Sequence, residues 1–319
     1  MSTPILSQFG YHGFLAVAVI FAVIIVLVWR FKLYRLSELK KVGPPLLQGL
    51  IHYAPFVAAL LGFIGCLIIE LAHIPISMES RAQFYSVFGT VSFCCCILLN
   101  TVYGRKYGLG WIKSFVFSFL SFQVVFSLLS GANAQLDVFL FGVGGYASFR
   151  SAMALPLLCL ILARFCKVDT LNLCDYLTPY FFFHHGAVTI ACWIQGCCGG
   201  KTWAWGLCNP LSGLTVFPVQ PLVIILSVAA AYWGLHYSKK YSYHTNGIVF
   251  ANTLIIYGFF RYLIELFSDD PRVFWVSSWL SICSLAMIAE GFLLRYIIGK
   301  RMQTTKRVKG VISNARSKK

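Results

Sequence analysis

Residues 259–270 read FFRYLIELFSDD and set a guanidinium and a carboxylate, Arg261 and Glu265, four positions apart at the end of an apolar run. On a helix that spacing puts both on one face, where they can neutralise each other. A semi-buried arginine can also grip a phosphate, since its planar fork donates two parallel hydrogen bonds. Upstream, His184 and His185 offer an imidazole as base or proton carrier, or two hydrogen-bonded core groups. A few residues later, positions 189–200, TIACWIQGCCGG, break a long apolar run with the amide of Gln195, three cysteines and three glycines. Such glycines let backbone or ligand come close and let the chain leave a helix with φ > 0. That suits the mouth of a membrane-embedded cavity. The plainer alternative is a helix ended by Gly199-Gly200, with the cysteines packed as small hydrophobes.

The elements that carry these residues are apolar. The 319 residues are 59% hydrophobic and 11% charged with mean hydropathy +0.76, whereas soluble domains carry about 25% charge. The chain therefore reads as all-α: a polytopic integral membrane helix bundle. Nine runs approach the roughly 20 apolar residues that a span needs: 13–29, 53–71, 84–102, 115–129, 153–163, 173–198, 221–237, 248–267 and 274–298. The first lacks a basic leader and reads as a retained helix rather than a cleaved signal. Most of the 12 cysteines lie inside these runs and read as reduced packing residues; Cys94, Cys95 and Cys96 face three directions, against a metal site. No cofactor is implied. Adjacent Cys197 and Cys198 read as packing residues.

The formal charge of +16 does not indicate nucleic acid, because the basic residues fall between apolar runs instead of clustering on a folded polar face. Their distribution orders the spans. With the amino terminus outside, all 26 Lys and Arg except Arg81, Arg150, Lys201, Arg261 and Arg272 fall on the cytoplasmic side, including the tail from Arg295 to Lys319. Short cytoplasmic loops collect positive charge, so about nine crossings with the carboxyl terminus inside follow. The outer segments 131–151 and 199–220 are long and aromatic, and Trp203 and Trp205 fit an interfacial belt. Arg150 follows a glycine-rich stretch and opens a helix. Arg261, near the outer end of its span, lies at a depth suited to a phospholipid headgroup.

Taken in order, CWIQGCCGG at 192–200, Trp205-Gly206, FPVQ at 217–220 and FFRYLIELFSDDP at 259–271 resemble the segments of the prolipoprotein diacylglyceryl transferase family. That family shows GRxGC-F-x-x-GCCYG or GRxGNF-x-N-x-E, then HPxQLYE, then RFxxEFFR. Upstream, Phe84-Tyr85-Ser86 is similar to its WYG, and SFRSAMALPLL at 148–158 to its SFHGGLIGG. The likeness covers about residues 81–298 and leaves two additional amino-terminal helices. It divides the chain into an extension (1–80), a transferase-like core of seven helices (81–299) and a basic cytoplasmic tail (300–319). Tyr85, Gly196, Gly200, Gln220, Arg261 and Glu265 match. Thr189 stands where the family has arginine, Ala191 where it has glycine, and Arg150 and Phe217 where it has histidines; the Tyr-Glu pair after Gln220 is absent.

The resemblance implies a transferase of lipoprotein biosynthesis in the bacterial plasma membrane, moving diacylglyceryl from phosphatidylglycerol, or a related anionic phospholipid, to the lipobox cysteine of a secreted precursor lipoprotein. Arg261, Arg150 and His185 (or His184) would be its catalytic groups. Tyr85, Gln195, Gly196, Gly200, Gln220 and Glu265 would bind substrate. The substituted positions leave two other readings open: a phospholipid-binding pseudoenzyme or a transferase with a different acceptor. A transporter with glycine-broken helices is a third. The charge pattern sets a test. Ser317→Cys should resist an impermeant thiol reagent in intact cells and react after permeabilisation; labelling of intact cells would defeat the nine-crossing order.

Overall fold

The computed structural model describes residues 103–123, 148–196, 199–209, 212–241, 245–269, 272–274 and 277–316, with isolated residues between 64 and 101. Tyr85, Cys197, Cys198, the apolar run at 13–29 and most of those at 53–71 and 84–102 lie outside the described residues. Among the described residues six α-helices dominate: α1 (Trp111–Gln123), α2 (Ser148–Cys166), α3 (Thr170–Gln195), α4 (Val219–Lys240), α5 (Ile248–Glu265) and α6 (Trp279–Arg316). Of these, α4, α5 and the part of α6 at Ser281–Thr304 are each long and apolar enough to cross a membrane. The described residues are thus mostly helical, as an all-α membrane protein should be. Two short antiparallel hairpins interrupt the helices, β1 (Thr202–Cys208) with β2 (Thr215–Val216) and β3 (Arg272–Phe274) with β4 (Ser277–Ser278).

The central helix is α3, which packs on α2, α4 and α5. From Leu173 to Ile190 it is buried on every side. Its surface is apolar nearly all round, which is what a helix enclosed by others requires. Asp169 caps its start, accepting from the backbone N–H of Leu171 at 2.9 Å and of Asn172 at 3.3 Å. The other carboxylate oxygen of Asp169 accepts from Arg301 of α6 at 3.1 Å. Neighbouring helices approach closely through small residues. Gly186 of α3 faces Ser227 of α4, where an added Cβ would come within 3.2 Å of the serine.

Helix ends differ from the expectations in instructive ways. The central helix stops at Gly196, three residues before the glycine pair expected to end it. Gly196 takes φ 75°, and its N–H caps the carbonyls of Cys192 and Trp193. Helix α6 begins at Trp279, not Phe274, because Arg272–Phe274 is held in a strand. It then runs 38 residues without a break through position 300, about 57 Å at 1.5 Å per residue. Helix α2 is longer than the 153–163 run, since Ser148–Cys166 is helical through Pro156.

One buried carboxylate sets how α3 and α5 align. Asp175 of α3 is 0% exposed. It accepts from Thr245 Oγ1 at 2.6 Å, the N–H of Gly247 at 2.6 Å and the N–H of Phe250 at 2.8 Å. Those N–H groups are the ones that a helix start leaves without intrahelical acceptors, and a carboxylate there also answers the helix dipole. Asp175→Ala should leave these donors buried and unmet, costing at least ~3 kcal/mol. Asp169→Ala, at the exposed cap, should cost about 1 kcal/mol. Thermal unfolding of the two variants in one detergent should show that order, and an equal effect would refute the clamp.

Candidate functional site

With Asp175 level with the first turn of α5, the two helices rise together. Ten residues along α3 lies His185 and eleven beyond Phe250 lies Arg261, each about 15 Å above the clamp. The seam between them is polar. The rings of His185 and Tyr257 have centroids 6.1 Å apart, and the Tyr257 hydroxyl meets Ser227 Oγ of α4 at 3.2 Å. Tyr257, Arg261 and Glu265 follow one another at helical spacing on the buried stripe of α5. Arg261 is 8% exposed and Glu265 3%, and the two form an ion pair. The guanidinium stands within electrostatic range of both His185 and Tyr257. The adjacent His184 bonds through Nδ1 to Ser92 Oγ at 3.1 Å.

Above the seam the connecting segments close over the end of the bundle. Gly200 makes a bridge with Ser268, and the Ser268 N–H returns to the Glu265 carbonyl at 3.1 Å. A side chain at Gly200 would collide with the Phe217 carbonyl. The glycine is therefore required for close approach. Lys201 donates from its ammonium to the Leu266 carbonyl at 2.7 Å, a cation at the negative end of α5. Phe217 stacks on Phe267 with centroids 4.4 Å apart. Beside this closure lies a small recess lined by Trp193, Gly196, Asn209, Pro218 and Gln220. Gln220 is 5% exposed there, and Asn209 Nδ2 donates to the Gly196 carbonyl at 3.2 Å.

The structure thus brings His185, Arg261 and Glu265 into one seam and Gly196 and Gln220 into one recess, with Gly200 joined to the turn after Glu265. Arg150 stands in the first turn of α2 and Gln195 in the last of α3; their side chains, like all of Tyr85, lie outside the described residues. Thr189 donates to the His185 carbonyl at 2.7 Å, a satisfied helix serine-type bond. Three participants were not singled out from the sequence. Tyr257 had a signal, four residues before Arg261 on the same stripe. Ser227 has none, and Arg81, whose Nη1 reaches the Ile194 carbonyl at 2.5 Å, shows in the sequence only as an outer-face charge.

A helical membrane bundle with a buried, charged seam beneath a closure of connecting segments is the class that fold and site define. The family model of the prolipoprotein diacylglyceryl transferases matches residues 81–297, and the chain belongs to that family. A phosphatidylglycerol–prolipoprotein diacylglyceryl transferase of Clostridium tetani is 31% identical over 111 residues, 33% of this chain and 44% of that protein. The match therefore spans under half the length of that relative.

The ion pair makes its own prediction. Removing one partner strands a buried charge and costs ~3–5 kcal/mol, whereas removing both is far milder. Arg261→Gln and Glu265→Gln should each lower the melting temperature, and the double variant should recover most of the loss. Additive losses would show that the two side chains do not depend on each other.

Proposed function

We propose that this chain transfers a diacylglyceryl group from phosphatidylglycerol to the lipobox cysteine of a secreted precursor lipoprotein, at the outer end of a bundle that crosses the membrane about nine times. The amino terminus lies outside and the carboxyl terminus in the cytoplasm. The observation that carries the reading is the arginine and glutamate buried beside His185 and Tyr257 in an apolar helix. Ionisable groups at such depth are expensive and usually serve a site. Family membership and the name of the Clostridium relative supply the reaction.

In the reaction the precursor thiol loses its proton and its sulfur attacks the glyceryl carbon bonded to the phosphate oxygen. The carbon–sulfur bond forms as the carbon–oxygen bond breaks, and glycerol phosphate leaves with the electron pair. Arg261 grips the phosphate, where fixed positive charge stabilises the departing oxygen. His185, within the same seam, takes the thiol proton, and Arg150 supplies a second cation. Tyr85, Gln195, Gly196, Gly200, Gln220 and Glu265 hold the lipid. Residues 81–299 form the core of this machinery, preceded by an extension of two helices and followed by a basic cytoplasmic tail.

A second reading keeps the lipid site and changes the acceptor. It is favoured by Phe217, which stands where the family has a histidine and is locked in a stack against Phe267. Purified protein in vesicles of phosphatidylglycerol labelled in its acyl chains, given a lipobox peptide, separates the two. Label should pass to the peptide with release of glycerol phosphate. Glycerol phosphate release without peptide labelling would select the other acceptor. Arg261→Lys keeps the charge for Glu265 but loses the bidentate fork. Its transfer rate should fall ~100-fold, by analogy with the loss of one oxyanion donor, at an unchanged melting temperature.

A further inference from the structure

The hairpin between α3 and α4 is irregular in a telling way. Thr202 and Leu207 of β1 both pair with Val216 of β2, so the ladder is broken by an excursion whose crest is Trp205, while Gly206 lies so close to the Val216 backbone that a side chain there would collide. Both flanks are tied down. Trp203 folds back onto the closure, its ring edge-on to Phe217 at 5.7 Å and to Phe267 at 5.9 Å. Leu207 packs against the buried cluster of Ile190, Trp193, Ile194 and Ile224. Between these anchors Trp205 is thrust away from the protein and is 91% exposed. Leu214, on the return side of the hairpin, is 54% exposed.

We infer that this excursion is a membrane anchor, with Trp205 seated in the headgroup interface of the bilayer that holds the helices. Three observations favour lipid as the occupant. The hairpin joins the end of α3 to the start of α4, which is long and apolar enough to cross the membrane from Val219. Its excursion therefore projects at the height where the spanning helices reach water. No Asp, Glu, Lys or Arg lies between Lys201 and Lys239, so nothing charged opposes insertion. Finally, the last turns of α5 expose Phe259, Phe260, Leu263 and Leu266. This outward-facing apolar band leads to Phe267, against which Trp203 packs. An indole, apolar in body and polar at its N–H, is the side chain suited to that boundary.

The anchor does not rest on the transfer reaction. It holds the closure made by Trp203, Phe217 and Phe267 at headgroup depth, and with it the recess lined by Gly196 and Gln220. The test uses the full chain labelled with 5-fluorotryptophan in lipid nanodiscs. Eight tryptophans contribute fluorine resonances, and the one missing from Trp205→Phe belongs to Trp205; unchanged remaining resonances show that the variant is folded. The Trp205 resonance should be broadened beyond detection by lipid spin-labelled near the acyl carbonyl and spared by a soluble gadolinium chelate. Broadening by gadolinium alone would overturn the anchor. So would a resonance insensitive to the spin-labelled lipid that shifts on adding a signal-sequence peptide, since the surface would then serve a protein partner.

Discussion

The register between α3 and α5 rests on one carboxylate that has no water to fall back on. Asp175 is enclosed in the bundle and is held by Thr245 Oγ1 and the backbone N–H groups of Gly247 and Phe250. A charge buried without such donors would be prohibitive, and a helix start buried without an acceptor would strand several N–H groups. Each liability is met by the other. Because both helices are rigid and rise equally, satisfying the contact at one end also determines which residues meet about 15 Å further along. That is where His185 and Arg261 lie, with Tyr257 one turn of α5 before Arg261.

The other end of α5 is restrained by different means. Segment 199–201 hydrogen-bonds to the turn after Glu265: Lys201 N–H donates to the Phe267 carbonyl at 2.8 Å, and Asp269 N–H to the Gly199 carbonyl at 3.3 Å. The stack of Phe217 on Phe267 covers the junction. Helix α5 is therefore gripped at its first turn by α3 and at its last by the loop that leaves α3. A buried ion pair is weak evidence for stability but a demanding one for geometry. Arg261 and Glu265 sit on the stretch whose two ends are both held, which is the rigid support that a preorganised site needs.

Some of this was legible in the sequence because it is local. Membrane character follows from composition, since so apolar a chain has no soluble way to cover its surface. The Arg261–Glu265 pair follows from the helical repeat, because residues four apart share a face whatever surrounds them. The starts and stops were less legible. The glycine pair at 199–200 looked like a helix end, but Gly196 already supplies the left-handed turn, leaving Gly200 for close approach to Phe217. Phe274 looked like the start of a span, but strand pairing with Ser277 holds it outside α6.

What only the tertiary structure decided are the contacts between helices. Asp175 and Phe250 are 75 residues apart, and nothing in either neighbourhood announces the other. The central helix is the reason. A helix exposed on one side shows in its periodicity which residues face inward, but α3 is buried on every side and nearly uniformly apolar, so its pattern carries no direction. The sequence alone determined that His184 and His185 lie within it. Packing decided that His184 turns to Ser92 and His185 to Tyr257, because adjacent residues on a helix point about 100° apart and only the neighbouring helices say what lies in each direction.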